Sequence, residues 1–168
     1  SRLPEYELPG NTMGTTFSVK LVAPSESLQR DVLQQKIVAT LERVEDLAST
    51  YRDLSELSKF NANRSTEWIA ASSEFCELID TALQVSRSTG GAFDITVGPF
   101  VNLWGFGPDG DVQNPPTQEQ IDSAASRVGY ERLQTDCSVP AIRKNRDDVY
   151  VDLSGWAKGY AVDRIAEL

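Results

Sequence analysis

A chain of 168 residues, 40% hydrophobic and 24% charged, carries enough apolar side chain for one core, which sets aside disordered and collagen-like readings. Its 25 acidic residues against 16 basic ones give a net charge of -9 with no long basic run, and this argues against a nucleic-acid partner, because phosphate neutralisation needs clustered Lys and Arg. There is no histidine, so a Ser-His-Asp triad, a Cys-His pair and an imidazole-bound zinc are all excluded within these residues, leaving oxygen donors for a hard cation such as Mg²⁺ or Ca²⁺.

The opening "SRLPEYELPG" lacks the apolar centre of a signal peptide, and no apolar run reaches the ~18 residues of a membrane span. "TTFSVKLVA", Thr15 to Ala23, alternates Phe17, Val19 and Leu21 with polar neighbours and predicts a half-buried strand. A long helix is expected from Leu28 to about Thr50, with Leu33, Ile37, Leu41, Val44 and Leu47 on one face and charged residues on the other. "STYRDLSELSKFN", Ser49 to Asn61, reads as a loop or short irregular helix. A second helix starts at Ser72 or Ser73 and ends at Gly90-Gly91, where glycine takes the left-handed conformation that closes a helix.

"DGDVQNPP", Asp109 to Pro116, is a loop of turn formers, and "TQEQ" is a capping box that opens a third helix through Arg127. "AIRKNRDDVYVDLSG" reads as a hairpin, with Ala141 to Lys144 and Val149 to Leu153 as strands around Asn145 to Asp148. The pattern suggests an α+β fold, a layered antiparallel or mixed sheet with packed helices. Cys76 and Cys137 form no metal spacing; they either pair in an oxidising compartment or stay as buried thiols, and the free-thiol reading is preferred.

Three stretches ask for more than packing. "GGAFDITVGPFVNLWGFG", Gly90 to Gly107, holds five glycines and four large aromatics in eighteen residues. It is either a tight turn entering a buried strand or a backbone that approaches a flat ligand between aromatic walls. Its Asp94, a lone carboxylate between Phe93 and Ile95, should accept hydrogen bonds from a ligand or from nearby backbone. "DLSGWAKGYAVD" is either a plain strand-to-helix connector or an anion site, in which amides near Ser154-Gly155 and the helix dipole converge beside Lys158. In "GNTMGTTF", Met13 is a core plug or a soft surface for an aromatic ligand.

Taken in order and spacing, "NTMGTTFSV", "STYRDLSELSKFN", "GGAFDITVGPFVNLWGFG" and "DLSGWAKGYAVD" resemble the ApbE family, the FAD:protein FMN transferases also described as thiamine-biosynthesis lipoproteins. The resemblance runs from about Leu8 to the last residue. It implies a Mg²⁺-dependent transfer in the bacterial periplasm or cell envelope, from a precursor that is lipid-anchored. FAD is the substrate, a threonine hydroxyl of a target protein is the acceptor, and AMP is released. The implied targets are subunits of sodium-translocating NADH:quinone oxidoreductases or Rnf-type complexes.

By the same resemblance, Met13 and Tyr51 contact the flavin nucleotide, and Ala92, Phe93 and Asp94 line its site. Ser154 and Lys158 lie at the pyrophosphate or adenosine end, Tyr160 is a further wall, and Ala157 gives its carbonyl to Mg²⁺. Family members are longer, so the chain is expected to be the N-terminal part of one ApbE-like domain, a poor catalyst until the C-terminal half completes it. Two alternatives stay open: a flavin-binding or flavin-delivery protein without transferase activity, and a FAD pyrophosphatase giving FMN and AMP.

Overall fold

The computed structural model describes residues 3–24, 29–108 and 114–168. Strands β1 (Glu5–Thr12) and β2 (Thr15–Val22) form an antiparallel hairpin whose pairing runs from Glu5 with Val22 to Thr12 with Thr15. Only Met13 and Gly14 remain for the turn, and both have positive φ, 50° and 69°. That is the mirror-image two-residue turn whose twist suits a hairpin, and it normally carries Asn-Gly. β2 follows its alternation, with Phe17, Val19 and Leu21 partly buried against the core. β1 was not foreseen, because Pro9 and Gly10 interrupt the pattern; a two-stranded ribbon tolerates the proline, whose missing N–H can face away from the partner.

Helix α1 (Arg30–Ala48) buries Ile37, Leu41, Val44 and Leu47, the expected face. Leu28, the expected start, lies outside the described residues, and the chain leaves the helix at Ser49. Within the stretch read as a loop or irregular turn, α2 (Glu56–Ala62) is a regular helix whose cap, Ser55, accepts the Ser58 N–H at 2.9 Å. Helix α3 (Ser73–Ser88) begins on Ser72, whose hydroxyl oxygen accepts the Phe75 N–H. It closes where Gly90 turns left-handed (φ 60°) and the Gly91 N–H reaches back 2.9 Å to the Ser86 carbonyl, the six-to-one bond of a glycine-terminated helix.

After Gly90 the expected buried strand does not form. Gly98–Leu103 is a short helix, α4, with Pro99 in its first turn, where the absent N–H costs nothing. Helix α5 (Gln118–Ala125) has both bonds of the Thr117–Gln120 capping box but ends before Arg127. Of the expected Asp109–Pro116 loop, 109–113 lie outside the described residues.

A second sheet contains β3 (Ile69–Ala70), β4 (Leu133–Asp136) and β5 (Ala141–Lys144) in the order β3-β5-β4, antiparallel throughout. This corrects the expected hairpin: β5 pairs with β4 across the 137–140 turn, not with Val149–Leu153. The latter segment is extended, with Val149, Val151 and Leu153 buried, but its backbone bonds go elsewhere. The Asn61 side-chain amide takes both the N–H and the carbonyl of Val151 at 2.8 Å each, and the Asp152 N–H donates to the Ile95 carbonyl at 2.8 Å. Alternation reveals an extended segment but not its partner. Helix α6 (Ser154–Ala166) follows at once and packs on α1, closing a core that joins Leu8, Ile37, Leu47, Phe75, Ile142 and Leu153.

Cys76 of α3 and Cys137, just past β4, are joined in a disulfide, with a Cα–Cα distance of 5.7 Å. The free-thiol reading is thereby overturned. Packing of α3 over β4 brings together two residues 61 apart in sequence, which spacing alone does not reveal.

Lys144 ends β5 fully buried. Its ammonium donates to the Phe60 carbonyl at 3.0 Å and sits 4.8 Å from the centre of the Phe60 ring. Burial above all, then the charge of Arg64, pushes its pKa down from 10.5 to about 8. Between those two values the unfolded chain binds more protons than the folded one, so stability rises with pH across that window and levels off below it. Lys144→Met should abolish this rise, a difference on the order of 3 kcal/mol, in urea unfolding compared at about pH 7.5 and pH 10.

Candidate functional site

A cleft of about 240 Å³ opens where the Met13 turn, the last turns of α1, the residues after it and the start of α6 meet. Helical spacing sets one wall: Ser154, Ala157 and Lys158, at steps of three and one, share a face of α6. Opposite stand Val44 and Ala48 of α1, then Tyr51, which is 69% exposed and whose hydroxyl donates to the Phe106 carbonyl at 2.9 Å. Met13 enters from the hairpin tip. Its left-handed backbone costs roughly 1 kcal/mol in a non-glycine residue, so the surrounding structure must hold it.

The Glu45 carboxylate lies on the cleft wall beneath that tip. One oxygen accepts from the Met13 N–H at 2.7 Å and from the Thr12 hydroxyl at 2.9 Å, while the other meets Arg52 at 2.5 Å. Burial works against its charge, but the bonds from Met13 and Thr12 and the charge of Arg52 outweigh it and hold the carboxyl below the usual range. Arg52 also pairs with Glu42 and Asp46, both at 2.9 Å. Sequence reasoning passed over Glu45, seeing only the charged face of an amphipathic helix.

At the start of α6 three of the amides are already committed. The Ser154 N–H donates to Asp152 at 2.9 Å, the Ser154 hydroxyl bonds the same carboxylate oxygen, and the Trp156 and Ala157 N–H groups both reach the Leu153 carbonyl at 2.8 Å. Asp152 is buried there and places negative charge at the positive end of the helix. The expected convergence of free amides is therefore corrected in part: of the Ser154-Gly155 pair, the Ser154 N–H is taken by Asp152. An anionic ligand in this cleft would meet the exposed Lys158 on α6 as its cation.

The "AFD" residues and Tyr160 fall outside the cleft. Phe93 packs on Trp156 with ring centres 5.7 Å apart, and Ala92 is exposed beside it. Tyr160 lies on a different face of α6, donates to Glu74 at 3.3 Å and carries Arg164 over its ring. Burial, then the charge of Glu74, raises its phenol pKa. Asp94 finds nearby backbone: one oxygen accepts from the N–H and hydroxyl of Thr96, both at 2.7 Å, and the other from the Tyr130 N–H at 2.8 Å. Asp94→Ala thus strands three donors and should cost about 2–4 kcal/mol, read as a lowered thermal midpoint.

Among the described residues no group of three His, Cys, Asp or Glu side chains could hold a metal ion. Asp152 is engaged with Ser154, and Asp163 lines a different surface of α6. Mg²⁺ takes about six oxygens, of which the Ala157 carbonyl would be one. These residues do not form a magnesium site by themselves.

An α+β scaffold with a cleft at the mouth of a strand-to-helix turn has close counterparts among known proteins. The sequence pattern of the ApbE family matches residues 13–168, and the chain belongs to that family. It superimposes on the flavin transferase ApbE from Vibrio cholerae with a TM-score of 0.92 at 39% identity, over 98% of this chain and 53% of that one. For the apo form of the Pseudomonas stutzeri flavinyl transferase ApbE the TM-score is 0.89 at 32% identity, over 99% and 55%. A curated relative, the FAD:protein FMN transferase of Salmonella typhimurium, is 40% identical over 163 residues, 96% of this chain and 46% of that protein. The chain spans about half the length of the curated relatives it matches.

Proposed function

We propose that this chain is the flavin-nucleotide-binding portion of an enzyme that transfers the FMN moiety of FAD to a threonine hydroxyl of a target protein. The observation that carries the reading is the meeting of Met13, Tyr51, Ser154, Ala157 and Lys158 in one cleft, from segments far apart in sequence. In the reaction the threonine oxygen bonds to the FMN-side phosphorus, the bond from that phosphorus to the bridging oxygen breaks, AMP leaves with that oxygen and its electron pair, and the threonine proton passes to solvent. Such transfers depend on positioning and charge neutralisation, so the lack of histidine is no obstacle.

Met13 offers a thioether and Tyr51 a ring to a flat ligand. Lys158 supplies positive charge to the diphosphate, and the Ser154 hydroxyl lies beside it at the same mouth. Magnesium, when bound, would neutralise charge developing on the transferred phosphoryl group. The proposed targets are threonine-bearing subunits of sodium-translocating NADH:quinone oxidoreductases or Rnf-type complexes. The Cys76–Cys137 disulfide supports a periplasmic or envelope location, because such bonds persist where conditions are oxidising.

FAD should bind more tightly than FMN, since only FAD presents a diphosphate to Lys158. Flavin fluorescence titration checks this, and equal affinity for the two would remove the diphosphate from the cleft.

A further inference from the structure

Two cleft residues come from segments with no covalent reason to stay in register. Met13 sits on a hairpin tip in a conformation its side chain disfavours, and Tyr51 lies on an exposed stretch beyond α1. One side chain touches both segments. Glu45 holds the tip through Met13 N–H at 2.7 Å and Thr12 at 2.9 Å, and its other oxygen holds Arg52, the neighbour of Tyr51. A two-residue turn needs no such clamp when Asn-Gly supplies the left-handed pair. Here Met takes the first place, and a hydrogen bond from its N–H to the Glu45 carboxylate on the cleft wall secures it.

We propose that Glu45 is the positioning residue of this cleft, fixing Met13 and Tyr51 relative to one another so that both meet the same flavin nucleotide; this rests on the FAD reading above. The helix supports the role. Glu45 lies between Val44 and Leu47, both buried on the core face of α1, so its own backbone is rigidly placed. It needs only to present its two oxygens. Arg52 is drawn to Glu42 and Asp46 as well, which steadies the guanidinium from the outer side.

The test compares the wild-type chain with Glu45→Ala and Glu45→Gln in three measurements: FAD affinity by fluorescence titration, exchange of the Met13 amide hydrogen, and the NMR signals of the Tyr51 ring. The last two are taken without ligand. Glu45→Ala should weaken FAD binding at least tenfold, speed Met13 exchange at least tenfold and shift the Tyr51 signals, while signals from β3, β4 and β5 stay in place. Glu45→Gln can still accept from Met13 but turns an NH₂ group toward Arg52. It should keep the Met13 amide protected and still shift Tyr51.

Unchanged Met13 exchange and Tyr51 signals in Glu45→Ala overturn the proposal, and so does unchanged FAD affinity when those signals have moved. If Glu45→Ala does not fold, unmoved Tyr51 signals in Glu45→Gln overturn it instead. A wild-type chain that fails to bind FAD ends the flavin reading, and the ligand-free measurements then decide the positioning role alone.

Discussion

Mixed with FAD, Mg²⁺ and a threonine-bearing target peptide, the 168-residue chain is expected to give at most trace FMN transfer, and fusion to the C-terminal half of the Vibrio cholerae relative should raise the rate at least about a hundredfold. The reason is coordination. Magnesium demands about six oxygens in a tight octahedron, and the described residues hold no acidic cluster to supply them. The relatives have a further half in which other ligands can lie. Mass spectrometry of the peptide decides the matter. Efficient transfer by the chain alone would show that these residues suffice for the reaction without a further half.

Reduction of the Cys76–Cys137 bond should lower stability by about 4 kcal/mol and the melting midpoint by roughly 10 °C, because the bridge closes a long loop in the unfolded chain. Calorimetry with and without a phosphine reductant measures it, and Cys137→Ser in either condition should match the reduced wild type. The loss is global: the bridge ties α3, a wall of the core, to the turn between β4 and β5. An unchanged midpoint in fully reduced protein would mean that packing of α3 on β4 suffices by itself.

Local signals carried the ends of the longer helices, though not α2 or α4. Ser72, Thr117 and Gly90-Gly91 mark their ends by bonds made within a few residues, so the caps were legible from the sequence. Pairing was not legible. β1 hides behind Pro9 and Gly10, β4 lacks a clear alternation, and the disulfide depends on two elements meeting in space.

At the site, family motifs named Met13, Tyr51, Ser154, Ala157 and Lys158, which the fold gathers into the cleft. The same motifs named Asp94 and Tyr160, which the fold turns toward Thr96, Tyr130 and Glu74. A motif records which residues recur together, not which partner each one faces. Glu45 went unseen because its partners, Thr12, Met13 and Arg52, are assembled only by tertiary contact.

The Asn61 amide, bonded to both the N–H and the carbonyl of Val151, stands in for a neighbouring strand. Those two groups point to the same side of an extended chain, so one planar side chain satisfies them together. Val151 is fully buried, so neither group can turn to water instead, and a buried peptide left unpaired would cost the full desolvation of both its donor and its acceptor. Asn61 thus does with one side chain what a whole adjacent strand would otherwise be needed for, and the chain is free to run straight from this segment into α6.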